Sequence, residues 1–102
     1  MADKPDPKAP MTYARYLALD QLLDCQHPQS DLDDEMLFII IHQAYELWFK
    51  QILFELDFVK KVFSKEKVDD NSEDLNLCRH RLQRVTRILA LLNQQVTVLD
   101  TM

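Results

Sequence analysis

From Met36 to Asp57 the chain reads Met-Leu-Phe-Ile-Ile-Ile-His-Gln-Ala-Tyr-Glu-Leu-Trp-Phe-Lys-Gln-Ile-Leu-Phe-Glu-Leu-Asp. This run predicts a helix that is apolar around most of its circumference, with a single histidine, His42, among aromatics. Such a helix needs neighbours on several sides. A chain of 102 residues has few elements with which to supply them. The run therefore points both to a buried functional site and to a piece of a larger protein.

Glycine is absent from the chain. Sheet proteins rely on glycine in tight hairpins, so its absence favours long helices joined by irregular links. The predicted class is all-α, in one domain. A formal net charge of −5 argues against nonspecific nucleic-acid binding and against an anionic membrane surface. The longest apolar run, Met36 to Ile41, falls far short of the roughly 20 residues that span a bilayer. The proline-rich, polar start of the chain carries no visible secretory signal. Cys25 and Cys78 lack metal-ligand spacing and read as reduced thiols of a cytosolic protein, Cys78 in the core.

Residues 1–11, with Pro5, Pro7 and Pro10, predict a disordered arm, and residues 12–102 the helical part. A short first helix is expected from Thr12, its N-cap, to Cys25, broken by the segment before Pro28. A second should run from near Asp33 to Lys65, roughly 33 residues or about 50 Å. The tract Ser64 to Asn71 predicts the turn. A third helix opens at Ser72. In it Leu75, Cys78, Leu82, Val85, Leu89, Leu92, Val96 and Leu99 alternate steps of three and four. That is an a/d seam suited to antiparallel packing on the second helix. Arg79, Arg81, Arg84 and Arg87 lie off this seam, solvated or paired with carboxylates. The chain stops at Met102 with no helix-ending signal, which suggests a pattern cut short.

On a helix, Glu35, Phe38, Tyr45, Glu46 and Phe49 fall within about 60° of His42. An aromatic wall and an imidazole on one patch suit a flat aromatic ligand that also makes a polar contact at its edge. Spacing alone leaves open the plainer reading, a core histidine satisfied by a polar neighbour. Tyr13, Tyr16 and Leu17 form a second cluster on one face of the first helix, either core or the wall of an aromatic pocket. Metal chemistry finds little support: no Glu-x-x-His motif is present, His80 lies between arginines, and His27 precedes a proline. There is no phosphate loop and no nucleophile with a recognisable partner.

The run Leu37 to Asp57 resembles the signature of the tryptophan 2,3-dioxygenase family. Tyr13-Ala14-Arg15-Tyr16-Leu17-Ala18-Leu19-Asp20 is similar to the family's Tyr-x-x-Tyr-Leu-x-Leu-Asp segment, and Leu91 to Met102 to a third family stretch. The resemblance covers residue 12 to the end, in order. It implies an all-α, cytoplasmic, homotetrameric enzyme that uses haem b to insert both atoms of O₂ across the indole C2–C3 bond of L-tryptophan, giving N-formylkynurenine. This chain would be its N-terminal portion, a short helix followed by a long antiparallel hairpin.

By the same resemblance, Phe38 and Ile39 would pack on the substrate indole, with His42 as the catalytic-site residue bonded to the indole N–H. Tyr13, Tyr16 and Leu17 would complete a neighbouring subunit's pocket. The family often carries His-Asp-Glu where Asp33-Asp34-Glu35 stands here, so that histidine's role does not transfer. The family's axial haem histidine and substrate-carboxylate arginine lie beyond residue 102, so no metal ligand is expected in this chain. The competing expectation is a non-catalytic helical module that associates through its apolar faces.

Overall fold

A computed structural model describes residues 9–65 and 73–102. Its elements are α1 (Tyr13–Tyr16), α2 (Leu19–Leu22), α3 (Asp34–Phe63), α4 (Glu73–Gln95) and a terminal 3₁₀ turn (Val96–Thr101). No strand occurs among the described residues, so the all-α expectation holds. Of the expected arm only Ala9, Pro10 and Met11 are described, and of the expected turn only Ser64 and Lys65. Ser72, the expected start of the third helix, also lies outside the described residues.

The first helix departs from expectation. It is two single turns separated at Ala18, whose backbone is left-handed (φ 51°, ψ 46°). Thr12 does cap α1: its hydroxyl accepts from the Arg15 amide at 3.2 Å. The Arg15 side chain then ties back to the Ala9 carbonyl at 2.7 Å and to that of Pro10. Left-handed geometry costs about 1–2 kcal/mol for a residue with a Cβ. With no glycine to take the position, the reversal falls on alanine, the smallest side chain left.

The α3 helix matches its expected span to within two residues. Asp34 and Glu35 favour its electropositive first turn, and Lys60 and Lys61 its last. At the far end the Ser64 hydroxyl donates to the Lys60 carbonyl at 2.7 Å. Lys65 then pairs with Asp74 across the mouth of the hairpin.

The seam of α4 also needs correction. Cys78, Val85 and Leu92 are buried as expected, but Leu82, Leu89 and Val96 are 44%, 48% and 49% exposed. Ile88 is buried instead, and Arg81 takes the inward place that the spacing assigns to Leu82. The reason is electrostatic. Glu55 of α3 has no exposed surface, and it accepts from Arg81 Nη1 and Arg84 Nη1, both at 2.8 Å, and from Gln51 Nε2 at 2.9 Å. The Arg81 guanidinium lies 4.1 Å from the centre of the Phe58 ring and 6.0 Å from that of Phe54. A buried carboxylate must be met by donors, and Arg81 meets it from the inward place.

Farther along the hairpin, the Tyr45 hydroxyl donates to the Leu92 carbonyl at 2.9 Å and fixes the other end of the register. The resulting core is thin: Ile41 and Val62 from α3 against Cys78, Val85, Ile88 and Leu92 from α4. The radius of gyration is 18.8 Å, against about 13 Å for a compact chain of this length. The structure is a slab 20 Å thick and 57 Å long, and much of α3 remains uncovered.

Candidate functional site

The site forms where the start of α3 meets the segment after α2. Three polar side chains hold that segment down. Gln43 Nε2 donates to the Cys25 carbonyl at 2.8 Å, and Gln26 Nε2 donates to Gln43 Oε1 and to the Leu22 carbonyl, both at 2.9 Å. Glu35 accepts from the Gln29 amide at 3.0 Å and from the amide and hydroxyl of Ser30, each at 2.8 Å. The Gln29 amide first, and then Ser30, hold the Glu35 carboxyl below its ordinary range. Glu35, placed by its spacing on the same patch as His42, is thus also the clasp of the preceding loop.

His42 stands beside this clasp. Its ring and that of Phe38 lie one turn apart, centroids 4.1 Å from each other and planes tilted by 32°. Phe38 is 49% exposed and His42 is exposed, so neither belongs to the core of this chain. His42 Nδ1 lies 2.7 Å from the Phe38 carbonyl oxygen. A carbonyl oxygen only accepts, so Nδ1 carries the proton. In the neutral ring Nε2 is then a bare lone pair, an acceptor for an N–H from outside.

Behind this ledge an open groove of about 450 Å³ runs between α2 and α3. Leu22, Cys25 and Leu47 give it apolar walls, while His42, Glu46 and Lys50 give it a polar edge. His42 is common to the ledge and the groove, and the ledge, an aromatic face beside an acceptor nitrogen, suits a flat apolar ring that carries one N–H donor.

The other residues singled out from the sequence lie apart. Ile39 is half-buried and projects about 100° round the helix from Phe38. Tyr13 and Tyr16 are 77% and 73% exposed, with Leu17 beside them at 40%. None of the three is core, and among the described residues their side chains make no ring contact with the ledge. Sequence reasoning allowed Arg81 and Arg84 a carboxylate partner, as found, but did not single out Glu55 as that partner or expect it to be enclosed. The available signal was an acid inside an apolar run, opposite a helix with arginines three apart. The spacing put Tyr45 on the patch of His42 but not its bond to the Leu92 carbonyl, and it gave no role to Gln43; both depend on where a polar tip reaches.

Among the described residues no three metal-ligating side chains converge, and His42 already commits one ring nitrogen to its own helix. The residues present fit an aromatic N–H donor better than they fit an iron centre. No described helix is long and apolar enough to cross a membrane.

Comparison with known proteins gives this geometry a context. The family profile described as tryptophan 2,3-dioxygenase matches residues 2–102. A tryptophan 2,3-dioxygenase of Bdellovibrio bacteriovorus is 49% identical over 98 residues, covering 91% of this chain and 27% of that protein. Those of Anopheles gambiae and Xenopus tropicalis are 47% and 46% identical over 100 residues, covering 93% of this chain and 25% and 24% of theirs. The chain thus spans about a quarter of the length of the relatives it matches. By the profile match and by these identities, it belongs to the tryptophan 2,3-dioxygenase family.

Proposed function

We propose that this chain provides the indole-binding wall of a cytoplasmic dioxygenase that converts L-tryptophan and O₂ to N-formylkynurenine. One observation carries the reading: the Phe38 carbonyl holds the proton on His42 Nδ1 and leaves Nε2 as an acceptor beside an aromatic face. The indole lies against Phe38, with Ile39 at its border, and donates its N–H to His42 Nε2. This contact fixes which edge of the indole faces away from α3, and so which bond is open to oxygen.

Haem b, the group that the family resemblance implies, would activate O₂ when bound. Tyr13, Tyr16 and Leu17, exposed on their own chain, close the pocket of another subunit in a homotetramer. An aromatic cluster with no cover of its own is supported by such a partner.

The test is His42→Ala in an enzyme that carries this segment within the whole family domain. Losing one hydrogen bond in a desolvated pocket costs about 1–3 kcal/mol. Turnover of tryptophan should fall by the corresponding factor, and turnover of 1-methyltryptophan, which has no N–H, much less. Equal losses on both substrates contradict the contact. The 102-residue chain alone should show no turnover; a Soret band with N-formylkynurenine formation from it would overturn that expectation.

The second reading, a non-catalytic association module, is favoured by the exposed apolar faces of α3 and α4. Sedimentation of the chain with and without haem separates the two. Haem-independent assembly supports the module, and haem-dependent assembly supports the enzyme.

A further inference from the structure

The α4 helix carries two apolar stripes that share Cys78, Val85 and Leu92. One adds Leu82 and Leu89 and continues to Val96 in the 3₁₀ turn, and the other adds Ile88 and the partly exposed, charged Arg81. Side-chain hydrophobicity favours the first, yet the structure turns the second inward, with Ile88 buried and Arg81 partly so, and leaves the leucines nearly half exposed. Because three residues are common to both, the centres of the two stripes differ by only about 40° around the axis of α4 at about 100° per residue. Something other than apolar area must choose between them.

We propose that the Glu55–Arg81 pair is a positioning device that selects the rotation of α4 against α3. Glu55 is fully enclosed and demands donors, and Arg81 answers it from the inner stripe with its guanidinium held over Phe58. In the competing rotation Arg81 turns away, and the carboxylate loses the less exposed of its two arginines. Arg84, whose side chain is 59% exposed, follows the same choice without enforcing it. Buried ion pairs contribute little net stability against apolar replacements, and their best-attested use is to fix register. The choice has a consequence near the ledge: it holds the Leu92 carbonyl where Tyr45, one turn from His42, reaches it. The proposal stands whether or not the indole reading does.

The test replaces both partners in the 102-residue chain, Glu55→Leu with Arg81→Leu, and follows leucine and valine methyl groups by NMR. The wild-type chain should give one set of resonances, with cross-peaks between the Tyr45 ring and Leu92. The E55L/R81L chain should keep its helical circular dichroism and an equal or higher urea midpoint. Its Leu82 and Leu89 methyls should split into two sets, one showing new contacts to α3 aromatics. Adding Leu82→Glu and Leu89→Glu to that variant blocks the rival stripe and should restore a single set. A single set in E55L/R81L with the Tyr45–Leu92 contact intact would overturn the proposal. So would its unfolding, which would make the pair a source of stability and not a selector.

Discussion

The α3–α4 hairpin and the stretch from Tyr13 to Leu22 use the same kinds of residue to opposite ends. In the hairpin, Glu55 and Tyr45 turn inward and are answered from within the chain: Glu55 by Arg81, Arg84 and Gln51, and Tyr45 by the Leu92 carbonyl; among the described residues Gln95 Oε1 is the buried side-chain oxygen left without a partner. In the N-terminal stretch neither α1 nor α2 has a buried residue, and its tyrosines face outward. One region spends its side chains on its own cohesion; the other presents them. The boundary between the two is the Gln26–Gln43 and Glu35–Ser30 clasp. The candidate site sits on that boundary, where a firm helix meets a segment free to serve another surface.

The contrast breaks most readily at Glu55. Glu55→Ala leaves Arg81 inside without its carboxylate, and stability should drop by about 3–5 kcal/mol in urea titration. A loss below about 1 kcal/mol would show that the hairpin does not depend on its buried charge. Tyr45→Phe is milder: the lost hydrogen bond to the Leu92 carbonyl should cost about 1 kcal/mol.

At the other end of the contrast, Tyr13→Ser with Tyr16→Ser should leave the urea midpoint of the isolated chain within about 0.5 kcal/mol of wild type. A larger loss would mean that the tyrosines support their own fold. Ala18→Gly should stabilise the turn between α1 and α2 by under about 1 kcal/mol. The gain is relief of left-handed strain, offset by the extra freedom of an unfolded glycine. Hydrogen exchange at the Leu22 and Leu23 amides would register it.

Acid probes both regions at once. Burial pushes the Glu55 carboxyl up, but hydrogen bonds from Arg84, Gln51 and Arg81 outweigh it and leave the pKa below its ordinary value of 4.5. Glu35 is likewise held below 4.5, by the Gln29 amide and Ser30. A folded pKa below the unfolded one gives stability that is complete above the unfolded value and is lost as pH falls through the folded value. The hairpin should therefore weaken only below about pH 4.5, and Glu55→Gln should flatten that part of the profile. Protonation of Glu35 should instead speed exchange of the Gln29 and Ser30 amides, with little change in global unfolding.

Much of this architecture is legible in the sequence, because long apolar periodicity survives most perturbations. The α3 span and the pairing of α3 with α4 follow from it directly. The rotation of α4 does not: Leu82 and Arg81 are adjacent, and apolar counting prefers leucine, whereas an enclosed acid prefers arginine. The break at Ala18 is equally hidden, since a chain without glycine gives no marker for a left-handed residue. For the candidate site, the sharing of one patch by Phe38 and His42 follows from their spacing of four. Which ring nitrogen carries the proton does not, because it depends on a side-chain torsion that brings Nδ1 to the Phe38 carbonyl.

That proton is the most direct test of the account. Nitrogen-15 NMR of the imidazole at a pH where His42 is neutral distinguishes a protonated ring nitrogen from a bare one. The account predicts a protonated Nδ1 and a bare Nε2, the tautomer that free histidine favours less. A protonated Nε2 would leave no acceptor for an indole N–H and would contradict the proposed site.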